Sequence, residues 1–170
     1  MQLLISDANI LIDMEEGQLL QAMFRLPFQF QTPNLLFADE LAEQHPYLPT
    51  YGLQLGILNG ESMNRVSALT LKYKNTGRYD CMALALAQQE QCTLLTGDQN
   101  LTKAAKAEKV ETRGSIWLVE QLVSHRMISI ASARHSYAQM EANGRRLPWK
   151  QARQRLNELE ATLLSNPPAC

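Results

Sequence analysis

The chain has 170 residues, of which 45% are hydrophobic and 19% are charged, and its formal net charge is −1. This length fits one domain with at most a small appendage, and the apolar content is enough for an ordinary core. The near-neutral charge excludes a strongly basic protein that coats nucleic acid. It does not exclude a nuclease, because an acidic site would offset basic residues elsewhere in the chain.

The cysteines and the N-terminus indicate the compartment. Cys81, Cys92 and Cys170 show no CxxC spacing, which predicts free thiols in a reducing environment. Met1-Gln2 leads directly into the first predicted strand, so we expect no signal peptide. No apolar run is long enough to cross a bilayer. We therefore expect a soluble cytoplasmic protein that does not contact a membrane.

Short apolar runs alternate with helical stretches along most of the chain. In chain order we predict strand 3–6, helices 9–14 and 18–24, strand 28–31, helix 32–44, strand 53–58, helices 62–73 and 80–89, strand 93–96, helix 101–108, strand 110–112, and helices 116–125, 131–142 and 148–164, followed by a frayed tail at 166–168. Ser62 is the predicted N-cap of its helix. This alternation predicts an α/β fold, in which a parallel sheet is covered by helices on both faces.

Four acidic residues lie at the ends of these predicted elements. Asp7 follows the first strand, Asp98 follows strand 93–96, Asp80 opens an alanine-rich helix, and Glu40 starts an apolar helical stretch within 32–44. Carboxyl ends of parallel strands share one edge of a sheet, so we expect the four side chains to converge there. Four carboxylates without a catalytic Cys or His beside them favour a site for a hard cation.

Each acid also has a purely structural explanation. Asp7, Asp80 and Asp98 are good helix caps. Glu40 could be a solvated helix residue, and Asp39 competes with it for the same role. The C-terminal region carries a basic stretch around Trp149, which fits a solvated helix face better than a surface that tracks RNA phosphates. Its basic residues are Arg145, Arg146, Lys150, Arg153 and Arg155.

Several segments resemble the acidic motifs of PIN-domain nucleases. SDANILID at 6–13 resembles the opening motif, DCMALALA at 80–87 the third and LLTGDQNL at 94–101 the fourth, and FADEL at 37–41 occupies the place of the second. GSIW at 114–117 is similar to the tail of VapC-like bacterial toxins, in a branch similar to DUF3368. The resemblance implies a PIN-like three-layer α/β/α domain over 1–130, with a C-terminal helical extension over 131–170.

The resemblance also implies an activity. PIN-domain nucleases of this kind are ribonucleases that depend on Mg²⁺ or Mn²⁺ and hydrolyse RNA phosphodiester bonds, often as the toxin of a type II toxin–antitoxin system. By motif match, Asp7 and Asp98 are the principal metal ligands. Glu40 and Asp80 complete the catalytic site, directly or through water.

Three further residues are assigned by the same match. Asn9 and Thr96 are expected to hold the ligand loops by hydrogen bonds. Asn100 stands where the family often has another acid, so a second metal would bind more weakly here. The expected partners are an RNA substrate, an antitoxin protein and a second copy of the chain in a homodimer.

Two other functions are compatible with the residues. The first is a PIN-like RNA-binding or scaffold module with weak or no catalysis, because the second motif is weak and Asn100 replaces an acid. The second is a phosphohydrolase that uses Asp7 as a covalent nucleophile. That class usually has a second Asp two residues on, where this chain has Asn9, so we rank it last.

Overall fold

The computed structural model describes residues 1–167. Within this range, five strands form one sheet in which every pairing is parallel, with the order β3-β2-β1-β4-β5. The strands are β1 (Gln2–Ser6), β2 (Phe28–Pro33), β3 (Gln54–Gly56), β4 (Thr93–Leu95) and β5 (Thr112–Arg113). The predicted α/β class with a central parallel sheet is confirmed.

Helices cover both faces of the sheet. They are α1 (Ala8–Glu16), α2 (Leu20–Met23), α3 (Asn34–Leu36), α4 (Leu48–Tyr51), α5 (Gly60–Lys72), α6 (Arg78–Glu90), α7 (Gln99–Ala107), α8 (Ser115–Ser124), α9 (Ile130–Ala142) and α10 (Trp149–Ser165). Helix α3 continues into a π-helical turn, Phe37–Leu41. No helix within residues 1–167 is both long enough and apolar enough to span a bilayer.

The strand order creates a switch point next to β1. The chain runs from β1 outward through β2 to β3, and later returns to the other side of β1 with β4 and then β5. Ser6 of β1 is in register with Leu95 of β4. In open α/β sheets, ligands bind where the strand order reverses, outside the carboxyl ends of the strands. The gap between the ends of β1 and β4 is that position.

Two apolar cores lie on opposite faces of the sheet, because neighbouring strand residues point to opposite sides. Leu4 and Leu95 belong to the core formed with α1, α2, α8, α9 and α10. Ile5 and Leu94 belong to the core formed with α5, α6 and α7. The alanines of α6 are buried at 1% exposure or less, and their small side chains suit a helix that packs against the sheet.

The C-terminal helices share the first core with the sheet. Tyr137 and Met140 of α9 and Leu156 of α10 are buried in it. Helix α9 comes so close to α1 that a Cβ at Gly17 would lie 2.5 Å from Met140 Cε. The division of the chain at residue 130 stays a prediction, but the extension packs as part of the same body.

Some predicted element ends were wrong. The N-cap of α5 is Asn59, whose side chain accepts the Ser62 N–H at 2.8 Å, and Ser62 lies inside the helix. Strand β5 starts at Thr112, because the Val110 N–H is used by Ala105 O to close α7. Pro33 ends β2, so the next helix starts at Asn34. Strand 53–58 shortens to Gln54–Gly56.

Two of the three cysteines lie in the described range. Cys81 is buried and Cys92 is partly buried, and both are free thiols, as the sequence predicted. Cys170 and part of the predicted tail, Pro168, lie outside the described residues.

Candidate metal centre at the carboxyl edge of the sheet

Asp7 and Asp98 follow the two strands that flank the switch point. Asp7 directly follows β1, and its N–H donates to Leu95 O at the end of β4 at 3.1 Å. Asp98 comes three residues after Leu95 and opens α7. The two predicted principal ligands therefore lie at adjoining strand ends on the same edge of the sheet.

Both residues cap a helix, and each uses one carboxylate oxygen to do so. Asp7 Oδ1 accepts the Ile10 N–H at 2.9 Å, and Asp98 Oδ1 accepts the Leu101 N–H at 2.7 Å. The other oxygen of Asp7, Oδ2, is buried and has no hydrogen-bond partner among residues 1–167. The helix cap thus accounts for Oδ1 of Asp7 and leaves Oδ2 available to a ligand.

Burial makes the Asp7 carboxylate costly to ionise. The residue is 1% exposed, and its desolvation raises the pKa of the carboxyl from 3.8 to about 7. The nearby Thr96 hydroxyl and the Ile10 N–H oppose this rise in pKa, and the charges of Asp80 and Asp13 add to it. The Thr96 hydroxyl and the Ile10 N–H offset only part of the cost of burial, and a cation at Oδ2 would supply further compensation.

Asp80 is within electrostatic reach of the other three acids. It occupies the first turn of α6, whose N-cap is Gly77, and it is partly buried. Desolvation and then the charge of Asp98 raise the pKa of the Asp80 carboxyl. Because Asp80 also raises the pKa of Asp7, it lies within electrostatic reach of both strand-end acids.

The π-helical turn separates the roles of Asp39 and Glu40. Ala42 N–H donates to Phe37 O at 2.7 Å, the five-residue spacing that defines this turn. Asp39 Oδ2 accepts the Tyr79 hydroxyl at 2.5 Å. The pKa of Glu40 is raised by partial desolvation and then by Asp80 and Asp39, so Glu40 lies near the other acids but is exposed. Asp39, its rival in the sequence, is held by Tyr79 instead.

The residues expected to hold the ligand loops have different partners. Thr96 Oγ1 accepts the Asp98 N–H at 3.1 Å and so fixes the turn that carries Asp98. Asn9 Oδ1 accepts from Arg145 at 3.1 Å and contacts no ligand loop through that atom. Asn100 is exposed in the first turn of α7.

A second buried acid, Asp13, is fully compensated. Arg145 Nε donates to Asp13 Oδ1 at 2.6 Å, and Ser115 Oγ donates to Oδ2 at 2.7 Å. These contacts join α1 to the start of α8 and to the loop before α10. The sequence offered no local signal for them, because Arg145 lies 132 positions from Asp13.

The acids are spread rather than clustered. Among residues 1–167, no three His, Cys, Asp or Glu side chains lie close enough together to hold a metal by themselves. Mg²⁺ is commonly held by only one or two carboxylates, with water and substrate phosphate as the other ligands. The buried Asp7 Oδ2, which has no hydrogen-bond partner among residues 1–167 and lies within electrostatic reach of Asp80, fits an ion of that kind.

A comparison with known proteins identifies the family of this fold. No curated protein sequence matches the chain significantly. The family model DUF3368, described as a PIN domain, matches residues 3–161, which is nearly the whole chain and includes α9 and most of α10. The chain therefore belongs to the PIN-domain family DUF3368, as its acidic motifs had predicted.

Proposed function

We propose that this protein is a divalent-metal-dependent endoribonuclease, a hydrolase of RNA phosphodiester bonds. PIN domains are generally nucleases that use divalent ions. The observation that carries the proposal is Asp7, a buried carboxylate at the switch point of the sheet. One of its oxygens has no hydrogen-bond partner among the described residues, and Asp80 lies within electrostatic reach of it. Such an uncompensated acid costs stability and is typical of a functional group.

The proposed roles follow from the position of each acid. Asp7 and Asp98 hold the ion, which is Mg²⁺ or Mn²⁺, and Asp80 and Glu40 complete the site, directly or through water. When bound, the ion supplies Lewis-acid polarisation of the phosphate and lowers the pKa of a bound water. The capping bonds at Asp7 and Asp98 hold both carboxylates in place before the ion arrives.

Cleavage of a labelled RNA with Mg²⁺ or Mn²⁺ tests the proposal, with Asp7→Asn as the variant. Asn is an equally good N-cap, so α1 should still form. We expect cleavage to fall by about 100-fold or more, as when a group that stabilises transition-state charge is removed. Glu61→Gln is the matched control, because Glu61 is an exposed acid on α5 that is not among the candidate ligands. Undiminished cleavage in Asp7→Asn would refute the proposal.

A second candidate is a PIN-like module that binds RNA but does not cleave it. It is favoured by the spread of the acids within residues 1–167 and by Asn100 in place of an acid. Titration calorimetry separates the two candidates. Heat of binding for millimolar Mg²⁺ or Mn²⁺ that disappears in Asp7→Asn supports the enzyme, whereas no heat from the native chain supports the module.

We further propose that the protein is the toxin of a type II toxin–antitoxin system in the cytoplasm, with an antitoxin protein and a homodimer as its assemblies. The similarity of GSIW at 114–117 to VapC-like toxins supports this role. Induced expression in bacteria should arrest growth with the native chain and not with Asp7→Asn. Equal growth arrest by both would contradict a toxin that acts by cleavage, and light scattering tests the dimer.

A further inference from the structure

We propose that a groove beside the acids binds an unpaired strand of RNA, and that the C-terminal segment forms its basic wall. This inference rests on the proposed function and names the surface that would present the substrate. The groove has a volume of about 780 Å³ and begins at Asp98. It is lined by parts of α1, the turn after β4, the junction of β5 with α8, the loop before α10, and α10.

The charge of the groove is opposite to that of the acids at its end. Four arginines line it, namely Arg113, Arg145, Arg146 and Arg155. The acids that line it are Asp13, which Arg145 neutralises, and Asp98. The formal net charge of the whole chain is −1, so this basic surface is local and is hidden in the overall charge. Local positive charge is what binds a phosphate backbone.

The arginines keep donors free for phosphate. Arg155 pairs with Glu120 at 2.7 Å and Arg113 with Glu111 at 2.6 Å, and neither glutamate lines the groove. A guanidinium has five N–H donors, so one such pair orients it without using it up. Arg146 is exposed and forms no ion pair within the described part of the chain.

The wall is fixed to the acidic site. Arg145 donates to Asp13 and to Asn9, both on α1, the helix that Asp7 caps. This ties the loop before α10 to the element that positions the candidate metal ligand. Leu156 anchors the other end of the wall in the core at 1% exposure. A strand bound by Arg146 and Arg155 would therefore have a fixed distance to Asp98.

The groove also offers a stacking surface. Trp117 lines it, stacked on Phe28 with ring centroids 5.8 Å apart, and the Arg113 guanidinium lies 5.9 Å from the Trp117 ring centroid. Bases of unpaired RNA stack on aromatic rings and on arginine planes. Trp149, the aromatic residue in the basic stretch, packs edge-to-face on Tyr137 and does not line the groove.

The size of the groove favours a single strand. Its volume of about 780 Å³ is comparable to that of a pocket for a small ligand, which is roughly 300–1,000 Å³. A groove of this size has room for a few nucleotides of one strand. Modules that bind duplex RNA instead span about 16 base pairs and contact two successive grooves.

Binding without cleavage tests the inference. The probe is a fluorescein-labelled, unstructured RNA of 12 nucleotides, titrated with the full chain in EDTA and followed by anisotropy. If three arginines contact phosphate, affinity should fall roughly 20-fold between 50 and 200 mM salt. Arg146→Glu should weaken binding about tenfold and lower the salt slope by about 0.7. Arg146→Lys should restore most of the affinity.

Arg65→Glu is the matched control. Arg65 is a half-buried arginine at the opposite end of the sheet, where its ion pair with Glu61 is loose at 3.4 Å. We expect binding by Arg65→Glu to stay within twofold of the native chain. An equal loss in both variants, or no loss in Arg146→Glu, overturns the groove assignment. Equal binding of a 12-base-pair RNA duplex overturns the single-strand assignment, and stronger binding of the matching DNA strand overturns RNA.

The outcome is separable from that of the proposed function. RNA binding in EDTA that depends on Arg146, without cleavage when metal is added, would refute the enzyme and support the groove. Metal-dependent cleavage by the native chain, together with unchanged RNA binding by Arg146→Glu, would support the enzyme and refute the groove.

Discussion

Asp7 and Asp13 are both buried acids on the same segment, 1% and 7% exposed, but their surroundings differ. Asp13 has a partner at each oxygen, Arg145 at 2.6 Å and Ser115 at 2.7 Å. Asp7 Oδ1 has one backbone partner, and Oδ2 is buried without a hydrogen-bond partner among residues 1–167. The nearby Thr96 hydroxyl lowers the pKa of Asp7, whereas the charges that act on it are those of the acids Asp80 and Asp13. The fold thus pairs Asp13, which joins α1 to the C-terminal segment, and leaves Asp7 at the switch point without a compensating charge.

The largest expected effect on stability comes from removing Asp13, the acid that has a partner at each carboxylate oxygen. Asp13→Ala should lower the free energy of unfolding by about 3–5 kcal/mol, because it leaves the largely buried Arg145 charge unpaired. Urea denaturation measures this loss. Glu61→Ala is the control, since its exposed ion pair with Arg65 should contribute less than about 1 kcal/mol. Equal effects in the two variants would show that Asp13 is not a structural anchor.

Substitution of Asp7 is expected to raise the free energy of unfolding instead of lowering it. Asp7→Asn removes a buried charge whose desolvation raises its pKa from 3.8 to about 7, and it keeps the helix cap. We expect the metal-free protein to gain about 2–4 kcal/mol in free energy of unfolding at pH 8, since each unit of raised pKa corresponds to about 1.4 kcal/mol. A lower urea midpoint for Asp7→Asn would contradict the contrast between the two acids.

The stability of the metal-free protein should fall as the pH rises. The folded-state pKa of Asp7 is about 7 and its unfolded value is near 3.8, so the folded state binds more protons between these values. The penalty is therefore absent below pH 3.8, grows through this window and is complete above pH 7. Raised pKa values of Asp80 and Glu40 act in the same direction.

Between pH 5 and 8, the free energy of unfolding of the metal-free native chain should fall by about 2–3 kcal/mol. The fall should be smaller in Asp7→Asn. Thermal unfolding in EDTA across this range provides the measurement. Added Mg²⁺ or Mn²⁺ should raise Tm more at pH 8 than at pH 5, because the ion competes with the proton. The same pH slope in the native chain and in Asp7→Asn would argue against Asp7 as its source.

The smallest expected effect concerns the π-helical turn. Tyr79→Phe removes the bond to Asp39 at an exposed position and should cost less than about 1 kcal/mol of stability. Because that bond ties the start of α6 to the turn carrying Glu40, we expect metal affinity to drop a few-fold. Calorimetry provides the test, with Tyr51→Phe on α4 as the control. A large loss of stability would mean that Tyr79 has a different role.

Local patterns predicted much of the fold and the two strand-end acids. Asp7 and Asp98 stand where an apolar run ends and a helix begins, and parallel topology brings such positions to one edge. The motif match preferred Glu40, with Asp39 as its rival, but no local pattern separates the two side chains. Their positions depend on a π-helical hydrogen bond and on Tyr79, which lies 40 positions from Asp39. The arginines of the basic stretch also differ in ways that the sequence does not reveal. Arg146 lines the groove, whereas Arg153 forms an ion pair with Glu141.

The amino-acid sequence by itself determined the α/β class, the PIN-domain motifs and the positions of the candidate ligands along the chain. These depend on periodicity and on short segments, which carry their information locally. The tertiary structure decided which acids are compensated and where the arginines gather, because those contacts join residues far apart in the chain. Asp13 and Arg145 are the clearest case, since only the packing of the C-terminal segment against α1 brings their charges together.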